Sequence, residues 1–127
     1  MEANKITGII VDACIKIHVA IGPGCFERVY EELLNYELVK RGLTVERQRL
    51  MPINYENLKI NDAYKLDLLV ESQVIVEVKS VDHILPVHFS QVMTYLKLME
   101  LKNGMLLNFK VGLMKDGIHK VFNNKGA

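Results

Sequence analysis

The stretch AYKLDLLVESQVIVEVKS, residues 63–80, is typical of two strands joined by a short loop. Side chains alternate in character along residues 63–70 and 74–80, and the polar tripeptide 71–73 separates the two runs. We predict a hairpin whose register is fixed by burying one apolar face of both strands. The predicted pairs on that face are Leu66 with Val78, Leu68 with Val76, and Val70 with Val74. This register implies a three-residue loop or a nearby bulge.

The opposite face of the predicted hairpin carries charged side chains. Its predicted pairs are Lys65 with Lys79, Asp67 with Glu77, and Leu69 with Ile75. Carboxylates that face each other across two strands repel, so one should have a raised pKa unless a cation lies between them. One interpretation is an ordinary outer sheet face with salt bridges. The other is a site for Mg²⁺ or Mn²⁺, in which Lys79 orients an attacking water or stabilises charge developing on a phosphate.

Helices are predicted before and after this hairpin. Residues 5–20 and residues 25–41 both carry apolar side chains at helical spacing. The segment 22–24, Gly-Pro-Gly, separates the two helices, and Gly42 stands where a glycine commonly ends a helix. Pro86 suits the first turn of a third helix, which should end before residue 103.

Further strands complete the pattern. They are predicted at residues 44–50, continued by 53–55 after Pro52 and followed by a turn near Glu56-Asn57; at 105–109; and at 118–122, the last as an edge strand or a short helix. The order α-α-β-β-β-α-β places a helix between strands, as a crossover connection requires. We therefore predict an α/β class with a mixed central sheet flanked by helices, in one domain spanning residues 1–127.

Composition limits the classes of partner. The 16 basic and 15 acidic side chains nearly balance, so binding of nucleic acid through bulk charge is not expected. A local patch such as Arg41, Arg47 and Arg49 could bind phosphate, or could simply be a solvated strand face. Cys14 and Cys25 form no CxxC pair and are predicted to be free, buried or half-buried thiols. With neither a secretory signal nor a long apolar run, we expect a cytoplasmic protein that does not engage a membrane.

The chain resembles a small bacterial and archaeal protein family named for the signature GxxExxY. Gly24, Glu27 and Tyr30 match that signature within IGPGCFERVYEELLNYEL, and the likeness extends over LDLLV, VIVEVKSV, PVHFSQVMTYLKL and GMLLNF. That family belongs to the PD-(D/E)XK nuclease-like superfamily. The resemblance therefore implies a restriction-endonuclease-like fold. The proline of the superfamily's name is absent here, and Tyr64-Lys65-Leu66 precedes Asp67 where the family often has Phe-Arg-Ala.

The resemblance also implies a site. Its catalytic residues would be Glu27, Asp67, Glu77 and Lys79, with Mg²⁺ or Mn²⁺ held by Glu27, Asp67 and Glu77. Its supporting residues would be Tyr30, Gln91 and Tyr95, of which Gln91 and Tyr95 form a QxxxY motif on one helix face. His88 lies one helical turn before Gln91 and is expected to support the same pocket. Each has a structural alternative: an acid at a helix start favoured by the dipole, a core tyrosine, a structural histidine, or a pair that braces the carboxylates or contacts a nucleic-acid backbone.

Three functions are compatible with these features. The first is a divalent-metal-dependent nuclease that hydrolyses phosphodiester bonds, with DNA as the expected substrate. The second is a non-catalytic module that binds nucleic acid or protein and retains the nuclease fold, as the small size and near-neutral charge would allow. The third adds a homodimer, in which a second copy supplies the binding surface that one small domain lacks.

Overall fold

The computed structural model describes residues 1–125 and contains three helices, one 3-10 turn and five strands over that range. These are α1 (Ala3–Ile21), α2 (Glu27–Lys40), β1 (Val45–Tyr55), β2 (Leu58–Val70), β3 (Val74–Lys79), α3 (Pro86–Met99), β4 (Asn103–Asn108), the 3-10 turn Met114–Gly117 and β5 (Ile118–Phe122). The predicted order of elements is confirmed. The last segment, predicted as an edge strand or a short helix, is the edge strand β5.

One sheet with the strand order β1-β2-β3-β4-β5 forms the centre of the molecule. Strands β3 and β4 are parallel and are connected through α3, whereas the other three neighbouring pairs are antiparallel. A connection between parallel neighbours needs a crossover, which the intervening helix provides. The predicted α/β class, a restriction-endonuclease-like mixed sheet flanked by helices, is therefore confirmed.

Helices cover both faces of the sheet. On one face, α1 and α2 pack on β3 and β4 through residues that include Ile10, Leu34 and Val76. On the other face, α3 packs through Val92 and Leu96, together with side chains from β2, β3, β4 and β5. Burial of this apolar surface provides most of the stabilisation of the fold. Within residues 1–125, none of the helices combines the length and the apolar character needed to cross a bilayer.

The predicted breaks between elements are confirmed in place. Gly22 and Gly42 follow α1 and α2 at φ 80° and φ 91°, a region that suits glycine because it has no Cβ. Helix α2 begins at Glu27, two residues later than predicted, because Phe26 is extended at φ −78° and ψ 155°. This later start makes Glu27 the first helical residue.

Strand β2 is longer than the sequence indicated. It begins at Leu58 rather than at residue 63, because the predicted turn at Glu56-Asn57 brings Leu58 directly opposite Tyr55. In the outer part of the β1–β2 ribbon, the two strands pair with each other and with no other strand among the described residues. Most side chains there are exposed, so the apolar–polar alternation of a half-buried strand is absent. The predicted interruption at Pro52 is confirmed as a shift of register between Met51 and Ile53.

The register between β2 and β3 is confirmed at three pairs: Leu68 with Val76, Leu69 with Ile75, and Val70 with Val74. Pairing ends there, so the predicted pairs beyond Leu68 do not form. Leu66 also lies on the opposite face from the one predicted, in the cluster beneath α3. The change of face lies at Asp67, where the β1–β2 ladder skips both Asp67 and Gln48, and Gln48 has φ 50°.

Candidate active site

Strands β2 and β3 separate beyond the Leu68–Val76 pair, and two carboxylates occupy the opening. Asp67 Oδ2 accepts a hydrogen bond from the backbone N–H of Val78 at 2.9 Å, and Glu77 Oε2 accepts one from the N–H of Asp67 at 2.9 Å. Side-chain oxygens thus replace the carbonyl partners that a continued ladder would have supplied. The contact brings Asp67 and Glu77 together and fixes one oxygen of each.

Burial changes the titration of both acids. Only 3% of Glu77 is exposed, and loss of solvent, together with the charge of Asp67, raises the pKa of Glu77 to about 8. Loss of solvent also raises the pKa of Asp67, although its hydrogen bond from Val78 acts in the opposite direction. Two buried acids whose pKa values are raised in this way are typical of a functional site.

Lys79 reaches toward helix α3. Its Nζ donates to Gln91 Oε1 at 3.5 Å, and Gln91 Nε2 donates to the hydroxyl of Tyr95 at 3.0 Å. The ring of Tyr95 stacks on that of Tyr64 with centroids 4.7 Å apart. Burial raises the pKa of Tyr95, and the charge of Glu77 adds to the effect. Gln91 and Tyr95 therefore hold Lys79, whereas the sequence led us to expect that they brace the carboxylates or contact a nucleic-acid backbone.

Glu27 ties the start of α2 to the end of β3. Its Oε2 accepts the N–H of Ser80 at 3.1 Å, and the Ser80 hydroxyl donates to the carbonyl of Cys25 at 3.1 Å. An acid in the first turn also suits the positive end of the helix dipole. The Glu27 carboxylate thus contacts Ser80, the residue that follows Lys79 in the sequence. Whether it binds a metal stays a prediction.

Tyr30 stabilises the turn between α1 and α2. It is fully buried, its ring stacks on Phe109 at 4.3 Å, and its hydroxyl donates to the Gly22 carbonyl at 2.5 Å while accepting the Cys25 N–H at 3.0 Å. These contacts shape the turn that leads into Glu27. The interpretation of Tyr30 as a core residue with a hydrogen-bonded hydroxyl agrees with this geometry.

His88 caps the start of α3. Its ring Nδ1 accepts a hydrogen bond from the backbone N–H of Leu85 at 2.9 Å. The backbone N–H of His88 donates to the Leu85 carbonyl at 3.0 Å. His88 borders the shallow pocket that Lys79 and Gln91 also line. Its observed contacts are those of the structural alternative.

Two residues beside the acids, Glu31 and Gln48, were not predicted from the sequence. They line a cleft of about 530 Å³ together with Glu27, Arg28, Asp67 and Arg47, the last of which was predicted only as part of a phosphate patch. Glu31 is 5% exposed and accepts hydrogen bonds from Arg47 Nη2 at 3.1 Å and from Gln48 Nε2. Its position four residues after Glu27, on the same helix face, is the signal that could have identified it. Nothing in the local pattern marks Gln48.

The arginines of the predicted phosphate patch are engaged with acids. Arg47 pairs with Glu31, and Arg49 with Glu46. Arg41, the residue directly after α2, pairs with Glu37 at 3.5 Å and with Asp12 at 3.6 Å. These pairs favour the interpretation of solvated, salt-bridged surfaces over that of a phosphate track.

The donor set around Asp67 and Glu77 fits a divalent cation that keeps part of its water. One oxygen of each carboxylate accepts a backbone N–H, so Asp67 Oδ1 and Glu77 Oε1 are the two oxygens without a backbone hydrogen bond. Mg²⁺ is commonly bound by one or two carboxylates and several waters. Among residues 1–125 no three His, Cys, Asp or Glu side chains stand close enough to hold a metal together. The pair alone is therefore the ligand set that the geometry supports.

A mixed sheet with an acid at the point where two strands part, and an acid-x-lysine triplet on the neighbouring strand, defines a class of nuclease-like α/β domain. A family model of the PD-(D/E)XK nuclease superfamily matches residues 4–121. The chain belongs to this superfamily. Searches among curated proteins and among solved structures gave no match.

Proposed function

We propose that the protein is a divalent-metal-dependent nuclease that hydrolyses phosphodiester bonds in nucleic acid, with DNA as its substrate. The observation that carries this proposal is the reciprocal hydrogen bonding of Asp67 and Glu77 at the separation of β2 and β3, with Lys79 two residues along. Membership of the superfamily supports a nuclease and a nucleic-acid substrate.

Each residue has a distinct role in the proposed reaction. Asp67 and Glu77 would hold Mg²⁺ or Mn²⁺, with Glu27 as a further ligand or a support for the strand end. When bound, such a cation lowers the pKa of water and offsets charge on a phosphate. Lys79, held by Gln91, would orient the attacking water and stabilise the negative charge that develops on the phosphate oxygens. The water oxygen bonds to phosphorus, the ester P–O bond breaks, and the leaving oxygen takes up a proton.

A cleavage assay tests this proposal. Labelled single-stranded and duplex DNA and RNA would be incubated with Mg²⁺, with Mn²⁺ or with a chelator. We expect cleavage that needs the cation, and a rate reduced about a hundredfold or more in Asp67→Asn, Glu77→Gln and Lys79→Met, because each removes charge stabilisation at the reacting phosphate. Glu32→Gln and Lys102→Met, both at exposed positions, serve as matched controls. Activity that survives Asp67→Asn or Glu77→Gln would sink the assignment.

The second candidate is a binding module that keeps the fold without turnover. Two observations favour it: three carboxylates do not converge among residues 1–125, and the arginines of the predicted patch are salt-bridged. Calorimetry separates the candidates. A module of this kind would bind oligonucleotides or a protein and give no heat with Mn²⁺ at intact Asp67 and Glu77.

Finer features of the proposal follow from the sequence resemblance. Gly24, Glu27 and Tyr30 support assignment to the GxxExxY family within the superfamily. A cytoplasmic location agrees with the two free thiols, since such compartments keep cysteines reduced. A homodimer would give one small domain a longer surface for nucleic acid, and light scattering during gel filtration would measure the mass in solution.

A further inference from the structure

Gln48 adopts a backbone conformation that residues other than glycine rarely adopt. Its φ is 50°, in the left-handed region, although it lies within the long strand β1. The β1–β2 ladder pairs Arg47 with Leu68 and Arg49 with Leu66, but it skips the position between them, where Gln48 and Asp67 would meet. A non-glycine residue persists in this region when its surroundings determine it strongly. Such strain concentrates at functional sites.

The side-chain contacts of Gln48 stabilise this backbone conformation. Its amide nitrogen donates to Glu31 Oε1 and also lies 3.5 Å from Asp67 Oδ1. Both neighbours are carboxylates, which accept hydrogen bonds when ionised, so the amide must present its two N–H groups to them. Gln48 therefore bridges helix α2 and strand β2.

Glu31 is the fixed end of this bridge. Its side chain is only 7% exposed, and both of its oxygens are engaged, one by Gln48 and the other by Arg47 at 3.1 Å. A buried carboxylate with both oxygens satisfied is held firmly in place. Glu31 is thus suited to anchor Gln48 rather than to bind a cation.

Asp67 is the second carboxylate that the Gln48 amide contacts. Its Oδ2 accepts a hydrogen bond from the backbone N–H of Val78, and its Oδ1 has no backbone partner. Among residues 1–125, Gln48 is the side chain that hydrogen-bonds to Oδ1. Because the carboxylate plane turns easily about its last torsion, contacts at both oxygens set its orientation.

We propose that Gln48 is a positioning residue for the cation site, anchored by Glu31 and acting through Asp67. This inference rests on the proposed function, since it assumes that Asp67 binds the cation. Partners outside the ligand set that orient a ligand typically change metal affinity by about 10–100-fold when they are removed. Gln48 should have an effect in that range without touching the cation or the phosphate.

Calorimetric titration of the whole chain with Mn²⁺ tests the proposal. Gln48→Gly removes the amide while relieving the strained φ, and Gln48→Met removes the amide at similar length. Asp62→Gly is the matched control, since Asp62 has the same left-handed backbone at φ 51° but lies on the exposed part of β2. We expect both Gln48 variants to bind Mn²⁺ about tenfold more weakly or worse. The control should bind as the unmodified protein does.

Thermal unfolding in the absence of metal gives the second readout. Gln48→Gly should remain folded while losing affinity, a combination that a purely structural role would not produce. Glu31→Ala should weaken Mn²⁺ binding as well, since it removes the anchor of the Gln48 amide. Unchanged affinity in folded Gln48→Gly and Gln48→Met would overturn the inference alone. Absence of Mn²⁺ binding by the unmodified protein would overturn the proposed function first, and this inference with it.

Discussion

At the scale of single residues, Glu77 is the most informative position. It is almost completely buried, yet the side chains nearest to it include a second acid, Asp67. The sequence predicted the closeness of the two acids and the raised pKa from strand register alone. It did not predict that each carboxylate accepts a backbone N–H, because this depends on where the two strands separate.

The pH dependence of stability follows from Glu77. Its pKa rises from 4.5 to about 8 in the folded protein, chiefly through burial. Between these values the folded state retains a proton that the unfolded chain has lost, so the free energy of unfolding should fall as pH rises across this window. The total loss should be on the order of a few kcal/mol. Asp67, whose pKa is also raised, acts in the same direction.

Urea unfolding of the metal-free protein at intervals from pH 5 to pH 8 measures this effect. Glu77→Gln cannot ionise, so it should show a much flatter dependence and should be the more stable protein at pH 8. Glu37 has a lowered pKa, through its hydrogen bond from Lys16, and its contribution belongs to lower pH. Equal slopes for the unmodified protein and Glu77→Gln would show that Glu77 does not titrate in this window.

At the scale of elements, periodicity predicted the helices and the paired part of β2 and β3 because each buries one regular face. The errors lie where regularity ends. Leu66 was assigned to the wrong face because the strand changes face at Asp67, opposite Gln48. The first residues of β2 were missed because the ribbon there is exposed on both sides, so no apolar alternation marks it. Local pattern carries no information on such tertiary irregularities.

The packing of the 3-10 turn on the end of β4 gives a prediction for stability. A Cβ added at Gly117 would lie 1.9 Å from the backbone oxygen of Asn108, and backbone cannot move aside easily. Gly117→Ala should therefore reduce the free energy of unfolding by about 3 kcal/mol or more, measured by urea denaturation. Gly112→Ala is the matched control, because no atom lies within 4 Å of its added Cβ. Equal stability of the two variants would contradict this packing.

Asn108 connects this turn to the site. Its side chain makes two hydrogen bonds with the backbone of Val81, at 3.1 Å and 3.0 Å. Val81 follows Ser80, whose N–H is held by Glu27. The exit of β3 is thus fixed from both sides, by α2 and by β4.

At the scale of the whole molecule, the candidate site draws on both faces of the sheet. Helix α2 supplies Glu27 and Glu31, the central strands supply Asp67, Glu77 and Lys79, and α3 supplies the pair that supports the lysine. Sequence reasoning selected Asp67, Glu77 and Lys79 as candidates because register and resemblance both point to them, and their role stays a prediction. It did not select Gln48 and Glu31, whose proposed role depends on contacts between α2 and β1 that are distant in sequence.

We propose that Asp67 and Glu77 together bind a divalent cation. Anomalous diffraction from crystals soaked in Mn²⁺ would detect that cation, with Asp67→Asn crystals soaked in parallel. We predict one strong anomalous peak contacting Asp67 Oδ1 and Glu77 Oε1 in the unmodified protein, and its loss in the variant. A fully soaked crystal with no peak between these carboxylates, or with its main peak at another site, would contradict the claim.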